Sequence, residues 1–403
     1  MIRFKKDDGS NYSEWEKKKL KEITEKICVG FVGTCEEFYT DNNGIPMYRT
    51  GNLKDGKVIL DDMKYVTREF HEKNKKSQLK NRDLLIARHG SNGQASMYKS
   101  NNEANCLNIV IVRPDNTKLN DEFLLQYINS QPIKRQVSIL TAGSTQSVIN
   151  TKEIENLIIR FPSNNKEQQK IADFLSSVDD VIAASEQEVA ALEEQKKGAM
   201  QKIFSQEVRF KADEGSDYPE WSIDKLEKYA DVYDGTHQTP KYVESGIKFV
   251  SVEDIGNLYS TDKFITEEAY KKDFNIVPER NDILMTRIGN VGTPALVTSD
   301  EKIAFYVSLA LLKCKSIKSE YLYHYIKSEP FQNELWKRML HIAFPMKINK
   351  GDIGQCIIQV PCLEEQQKIA DFLSDFDTAI DFAKQELEQW KELKKGLLQQ
   401  LFE

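Results

Sequence analysis

The chain has 403 residues, enough for two or three domains with full hydrophobic cores, which excludes a single small module. Charged residues make up 30% of it, no run of some 18 apolar residues occurs, and the start MIRFKKDDGS lacks an apolar signal region, so the expectation is a cytoplasmic protein without a membrane partner. Six cysteines without a CxxC pair and five scattered histidines argue against a disulfide framework or a metal site.

The net charge of −7 is unevenly spread. Residues 1–165 hold 26 basic and 21 acidic side chains, residues 208–363 hold 20 and 23, and the acidic excess concentrates in 166–207 and 364–403. The first block therefore permits a nucleic-acid partner, and the second does not recommend one.

In chain order, RFKKDDGSNYSEW (3–15) comes first, followed by short β-rich runs at Val58-Ile59-Leu60, Leu84-Leu85-Ile86-Ala87 and Leu107 to Val112. Between the first two runs lies a lysine cluster, Lys73, Lys75, Lys76 and Lys80, suited to phosphate contact without sequence reading. The run at 84–87 opens the segment RDLLIARHGSNG (82–93), in which Gly90 and Gly93 bracket a turn. Its backbone amides could approach a phosphate, and Arg88, His89, Ser91, Asn92 and Gln94 lie beside it. The bland alternative is a strand-connecting turn whose glycines merely supply positive φ.

A short helix is expected near 121–129, then the polar cluster Ser144, Thr145, Gln146 and Ser147. Arg reads guanine and Gln or Asn reads adenine, so Arg88, Asn92 and Gln146 are the candidates for base contacts. An apolar strand ends at Pro162, and Asn164 with Glu167 predicts a capping box opening a long helix over 166–207.

The second block, 208–363, repeats this order. RFKADEGSDYPEW (209–221) answers 3–15, NDILMTRIGNVG (281–292) answers 82–93, and a strand ends at Pro361 before a second long helix over 364–403. Additional β-rich runs are expected at 249–252 and 283–285, with a helix near 320–328. The exposed candidates are His237, Gln238, Thr239 and Lys241, together with Arg287 and Asn290 at the repeated Gly289/Gly292 turn.

The ten residues EQQKIADFLS at 167–176 recur unchanged at 365–374. In both long helices apolar residues step alternately by four and three. Ile171, Leu175, Val178, Ile182, Val189 and Leu192 form one seam, and Ile369, Leu373, Phe376, Ile380, Leu387 and Trp390 form the other. The predicted fold is α+β: two pseudo-twofold-related globular domains joined by two long helices in an antiparallel coiled coil. The RFK segment follows the first helix and also opens the chain, which makes the repeat circular and places the termini close together.

No phosphate-binding P-loop, dinucleotide fingerprint, zinc-protease helix, hydrolase elbow or Asn/Asp-Pro-Pro-aromatic motif is present. This combination describes a reader, with no catalytic set of its own. An interaction scaffold without DNA readout is the alternative that the net acidity favours.

The Glu-Gln-Gln-x-Ile-Ala-x-Phe-Leu helix starts after strands ending in Pro, the Lys-Lys-Gly near each helix end (196–198, 394–396), the Arg-x-Gly-x-x-Gly turns, Gly143-Ser-Thr-Gln146 and the circular repeat together resemble the specificity subunit of type I restriction-modification systems. The resemblance implies two target recognition domains reading a bipartite duplex DNA site on a helical spacer. It also implies two methyltransferase subunits using S-adenosylmethionine, and restriction subunits using ATP and Mg2+, with no cofactor in this chain. The second block departs from the pattern where Ala343-Phe344-Pro345-Met346 replaces Gly-Ser-Thr-Gln, which speaks against direct readout from that loop.

Overall fold

The computed structural model describes residues 3–89, 93–141, 148–341 and 344–403. They divide into two compact units, one of residues 1–186 with 385–403 and the other of residues 187–384.

The first unit is built on a six-stranded sheet in the order Thr24–Val29, Ile109–Pro114, Leu84–Ala87, Ala95–Met97, Lys57–Val58, Leu53–Lys54. A smaller four-stranded sheet includes Ile45–Tyr48 and Lys64–Val66, and Trp15–Lys19 pairs antiparallel with Ile158–Pro162. The second unit repeats the central strand order as Ala230–Asp234, Leu309–Cys314, Ile283–Thr286, Pro294–Leu296, with Ser222–Lys225 against Ile357–Val360. The expected short helices span Asp121–Ile128 and Ser319–Ile326.

Three strand extents differ from the sequence expectation, each for a local reason. The strand at Lys57–Val58 stops because the Ile59 backbone bonds to Asn52, whose side chain also donates to the Ile59 carbonyl. The run from Leu107 is broken by Asn108 at positive φ, so the strand begins at Ile109. The run at 249–252 ends at Val250, since the Ser251 amide and hydroxyl both donate to the Asp254 carboxylate and start a turn.

The long helices span Asn165–Phe204 and Leu363–Phe402. All twelve seam residues are buried or half-buried, while off-seam Val181, Phe382 and Leu393 are exposed. Within the first unit Asp179 pairs with Lys394 and Glu186 with Lys391. Within the second, Glu193 pairs with Lys384 and Lys196 with Asp377. In both, the partner number falls as the residue number rises, so the segments run antiparallel.

Each unit is completed by the end of the helix that begins in the other. Phe402 packs its ring against Trp15, Phe123 and Tyr127 in the first unit, and Phe204 packs against Tyr321 and Tyr325 in the second.

The repeated helix start does not form the expected capping box. Asn164 Oδ1 accepts from the Lys166 amide, while Glu167 turns inward, fully buried, to meet Arg3 at 3.1 Å and the Trp15 indole at 3.3 Å. Glu365 does the same with Arg209 at 2.8 Å and Trp221 at 2.9 Å. Next to it, Gln168 donates to the Pro162 carbonyl and accepts from the Asn120 amide, as Gln366 does with Pro361 and Lys318. Lys170 and Lys368 reach Asp7 and Asp213. The Glu-Gln-Gln-Lys repeat is thus a clasp that ties the RFK…Glu-Trp segment and the Pro-ending strand to the start of the helix.

A buried polar cluster distinguishes the second unit. His324 lies fully buried, its Nε2 3.1 Å from the Ser374 hydroxyl and its Nδ1 3.8 Å from Asp377, with Lys196 and Lys327 nearby. Burial, reinforced by Lys196 and Lys327, lowers its pKa from 6.5 to about 3. Between those values the unfolded chain binds a proton that the folded unit refuses, so stability is intact above pH 6.5 and falls as the pH drops toward 3. The slope approaches about 1.4 kcal/mol per pH unit. His324→Gln is expected to flatten this acid limb, read as urea midpoints between pH 7 and pH 4.5; an unchanged slope would contradict the assignment.

Candidate nucleic-acid interface

The repeated turns carry the first part of the candidate surface. Gly93 and Gly292 adopt φ of 78° and 93°. A Cβ on them would come within 2.8 Å of Val137 or 2.6 Å of Leu335, so each glycine permits both the left-handed turn and close packing on the following helix. At the positions described, four of the amides expected to meet phosphate have partners within the protein, while Gly90, Ser91 and Asn92 lie outside the described residues. Gly93 N donates to the Ala87 carbonyl, and in the second turn Gly289, Val291 and Gly292 donate to Met346, Gly289 and Thr286. These four amides are engaged internally.

The turn arginines anchor the loops beside them. Arg88 Nε donates to the Ile149 carbonyl and its own carbonyl accepts from Ile149 N; Arg287 and Ile348 repeat both bonds. The segment 142–147, with candidates Thr145 and Gln146, lies outside the described residues, as do Ser91 and Asn92. The chain re-enters beside Arg88 at Ile149, and the helix leading into the segment, Gln131–Thr141, packs Val137 against the Gly93 position.

The two arginines then diverge. Arg287, a DNA-contact candidate beside the second turn, is buried with its guanidinium paired to Asp234, so it braces the framework instead of presenting its charge. Strand register puts Val29 where Asp234 stands, and Arg88 is half-exposed with no ion pair among the described residues. His89 is exposed, and Gln94 lines a groove of 1260 Å³ that Lys99, Lys134 and Lys394 also border.

Lys73, Lys75 and Lys76 are exposed and, among the described residues, make no ion pair. Lys73 ends the helix Arg68–Lys73 and the others begin the adjoining turn Lys75–Ser77. This turn is held by buried His71, whose ring bonds Asn105, which in turn donates to Ser77. In the second unit His237, Gln238 and Lys241 are exposed on the segment that leaves the strand ending at Asp234, so it departs from the ion pair that holds Arg287. Asn290 is exposed at the turn tip, bonded to Thr293.

Sequence reasoning set aside the loop after Glu329–Arg338 as a departure from the first block. Leu340 and Lys347 bridge antiparallel, Gly289 N donates to Met346, and Trp336, Leu340, Phe344 and Met346 stand exposed. The available signal was charge: residues 336–350 contain four Lys/Arg and no Asp/Glu.

Burial pushes the Cys314 thiol up to about 11, Cys356 up to about 12 and Cys106 further, which keeps these three protonated. Among the described residues no group of three or more His, Cys, Asp or Glu could hold a metal, and no helix is long and apolar enough to cross a membrane.

Comparison with known proteins fits this duplicated layout. The profile of the type I restriction modification DNA specificity domain matches residues 12–194 and again 225–392. A protein of Methanocaldococcus jannaschii, provisionally named the type I restriction enzyme MjaX specificity subunit, is 27% identical over 98% of this chain and 94% of its own length. The type I restriction enzyme MjaVIII specificity subunit of the same organism is 26% identical over 52% of this chain and 50% of its own. Among solved structures, the S subunit of a type I restriction-modification system from M. genitalium superposes with a TM-score of 0.61 at 18% identity, covering 100% and 99% of the two chains. A chain from a structure of type I restriction-modification complex assembly gives 0.57 at 16% identity, over 96% and 97%. With both matched spans taken together, the chain belongs to the type I restriction-modification specificity family, whose role is DNA target recognition.

Proposed function

We propose that this chain reads a bipartite duplex DNA target, one half-site per globular block, and leaves bond-making to the subunits it assembles with. Two methyltransferase subunits would bring S-adenosylmethionine to methylate adenine within the site, and restriction subunits would bring ATP and Mg2+. The observation that carries this reading is a duplicated framework with unlike tips. The same arginine-to-isoleucine anchor stands in both units, while Arg88, His89 and Gln94 flank the first turn and Asn290 stands at the second. Equal scaffolds with unequal tips suit two different half-sites, as base contacts specify while phosphate contacts position. The scaffold alternative rests on the net acidity alone.

The test is a footprint of the chain assembled with its methyltransferase partner on random-sequence duplexes. Two protected stretches separated by an unprotected gap are expected, with affinity falling steeply as salt rises. Protection without sequence dependence would overturn the reading.

A further inference from the structure

We propose that Phe344, beside the Leu340–Lys347 bridge of the second block, is a DNA-inserting wedge that stacks into a base step of the half-site this block reads. The inference rests on the DNA-recognition reading above and assigns a residue and a mode of readout to it. It also reverses the expectation that the replacement of Gly-Ser-Thr-Gln by Ala343-Phe344-Pro345-Met346 removes this loop from recognition.

The first observation is exposure in a braced setting. Phe344 is 103% exposed and Trp336 61%, with Leu340 and Met346 exposed beside them. Large apolar side chains exposed within one short stretch, from the end of the helix Glu329–Arg338 to Met346, mark a surface that is covered in the working complex. This stretch is anchored, since Leu340 N donates to the Lys347 carbonyl, Gly289 N to that of Met346, and Ile348 N to that of buried Arg287. Asp234 holds Arg287 in turn, so the stretch Met346–Ile348 that follows Phe344 stands on a fixed footing.

The second observation is charge, and it chooses the occupant. Residues 336–350 carry four cations and no anion in a block whose overall balance is acidic. Lys337 and Arg338 are engaged by Glu334, whereas Lys347 and Lys350 are exposed and unpaired among the described residues. An aromatic tip flanked by free ammonium groups matches a base step flanked by phosphates. The ring of Trp336 packs on His341, with centroids 4.8 Å apart. Apolar wedges of this kind unstack a step and kink the duplex, so specificity arises from how easily a sequence deforms. The two blocks would then read differently, the first through polar side chains and the second through deformability.

The test uses the chain assembled with its methyltransferase partner and duplexes carrying 2-aminopurine at successive positions of the protected site. A several-fold rise in fluorescence is expected at one step of the second half-site only. Phe344→Ala should abolish that rise and weaken binding about tenfold, and Phe344→Trp should keep both. Lys347→Gln with Lys350→Gln should reduce the salt slope by about one unit each. Protection of the full site with no unstacked step, or a Phe344→Ala signal equal to the original, overturns the wedge and leaves DNA recognition standing. A Phe344→Ala chain that no longer assembles with its partner also overturns it, by making this stretch a protein-docking surface. A complex that protects no sequence at all overturns the recognition reading itself.

Discussion

Replacing Glu365 by alanine is expected to destabilise the second unit by about 3–5 kcal/mol, a loss typical of breaking a buried charge pair. The carboxylate is fully buried and is shared by the Arg209 guanidinium at 2.8 Å and the Trp221 indole N–H at 2.9 Å. Its bond to Arg209 raises the guanidinium pKa above its ordinary value, consistent with a charged pair. Truncation strands an arginine and a buried indole donor together, and the desolvation penalty of both then counts against the folded state. Glu365→Gln keeps an acceptor for the indole and should lose less. Urea unfolding followed by circular dichroism reads the difference. A loss below about 1 kcal/mol, the scale of an exposed ion pair, would show that the clasp does not hold the helix start.

The clasp also shows what was legible in the sequence and what was not. The repetition of Glu-Gln-Gln-Lys and of Arg-Phe-Lys…Glu-Trp stood in plain view. Their mutual contact did not, because Arg3 and Glu167 lie 164 residues apart and a local capping rule claimed the same glutamate. The helix seam was readable throughout, since a four-three spacing of apolar residues encodes burial within each helix by itself. Strand ends were less so, because Asn52, Asn108 and Ser251 end or redirect their strands through side-chain bonds and positive φ that no hydrophobic pattern carries.

The candidate surface divides the same way. Arg88 and Arg287 occupy matching places in matching motifs, and nothing within the motif tells that Arg287 is buried. That outcome is decided by Asp234, on a strand 53 residues earlier in the chain, where the first block has Val29. The sequence marked Phe344 only as a departure from the first block's loop and was silent on Trp336, and the fold reveals both as exposed. The charge asymmetry of 336–350 was visible but was averaged away in the acidic total of the block.

The largest effect on function is expected from exchanging whole blocks. Each unit has its own clasp, its own hydrophobic core and its own turn-and-loop surface, so the first block can be replaced along residues 1–160 without touching either long helix. The core position filled by Phe402 remains available, provided the incoming block supplies aromatic residues where Trp15, Phe123 and Tyr127 stand. The decisive measurement is the map of methylated adenines in a host that expresses the proposed complex with such an exchanged chain. The prediction is that one half of the methylated motif changes to that of the donor block while the other half stays as it was. If both halves change together, or neither does, the two blocks do not read DNA independently.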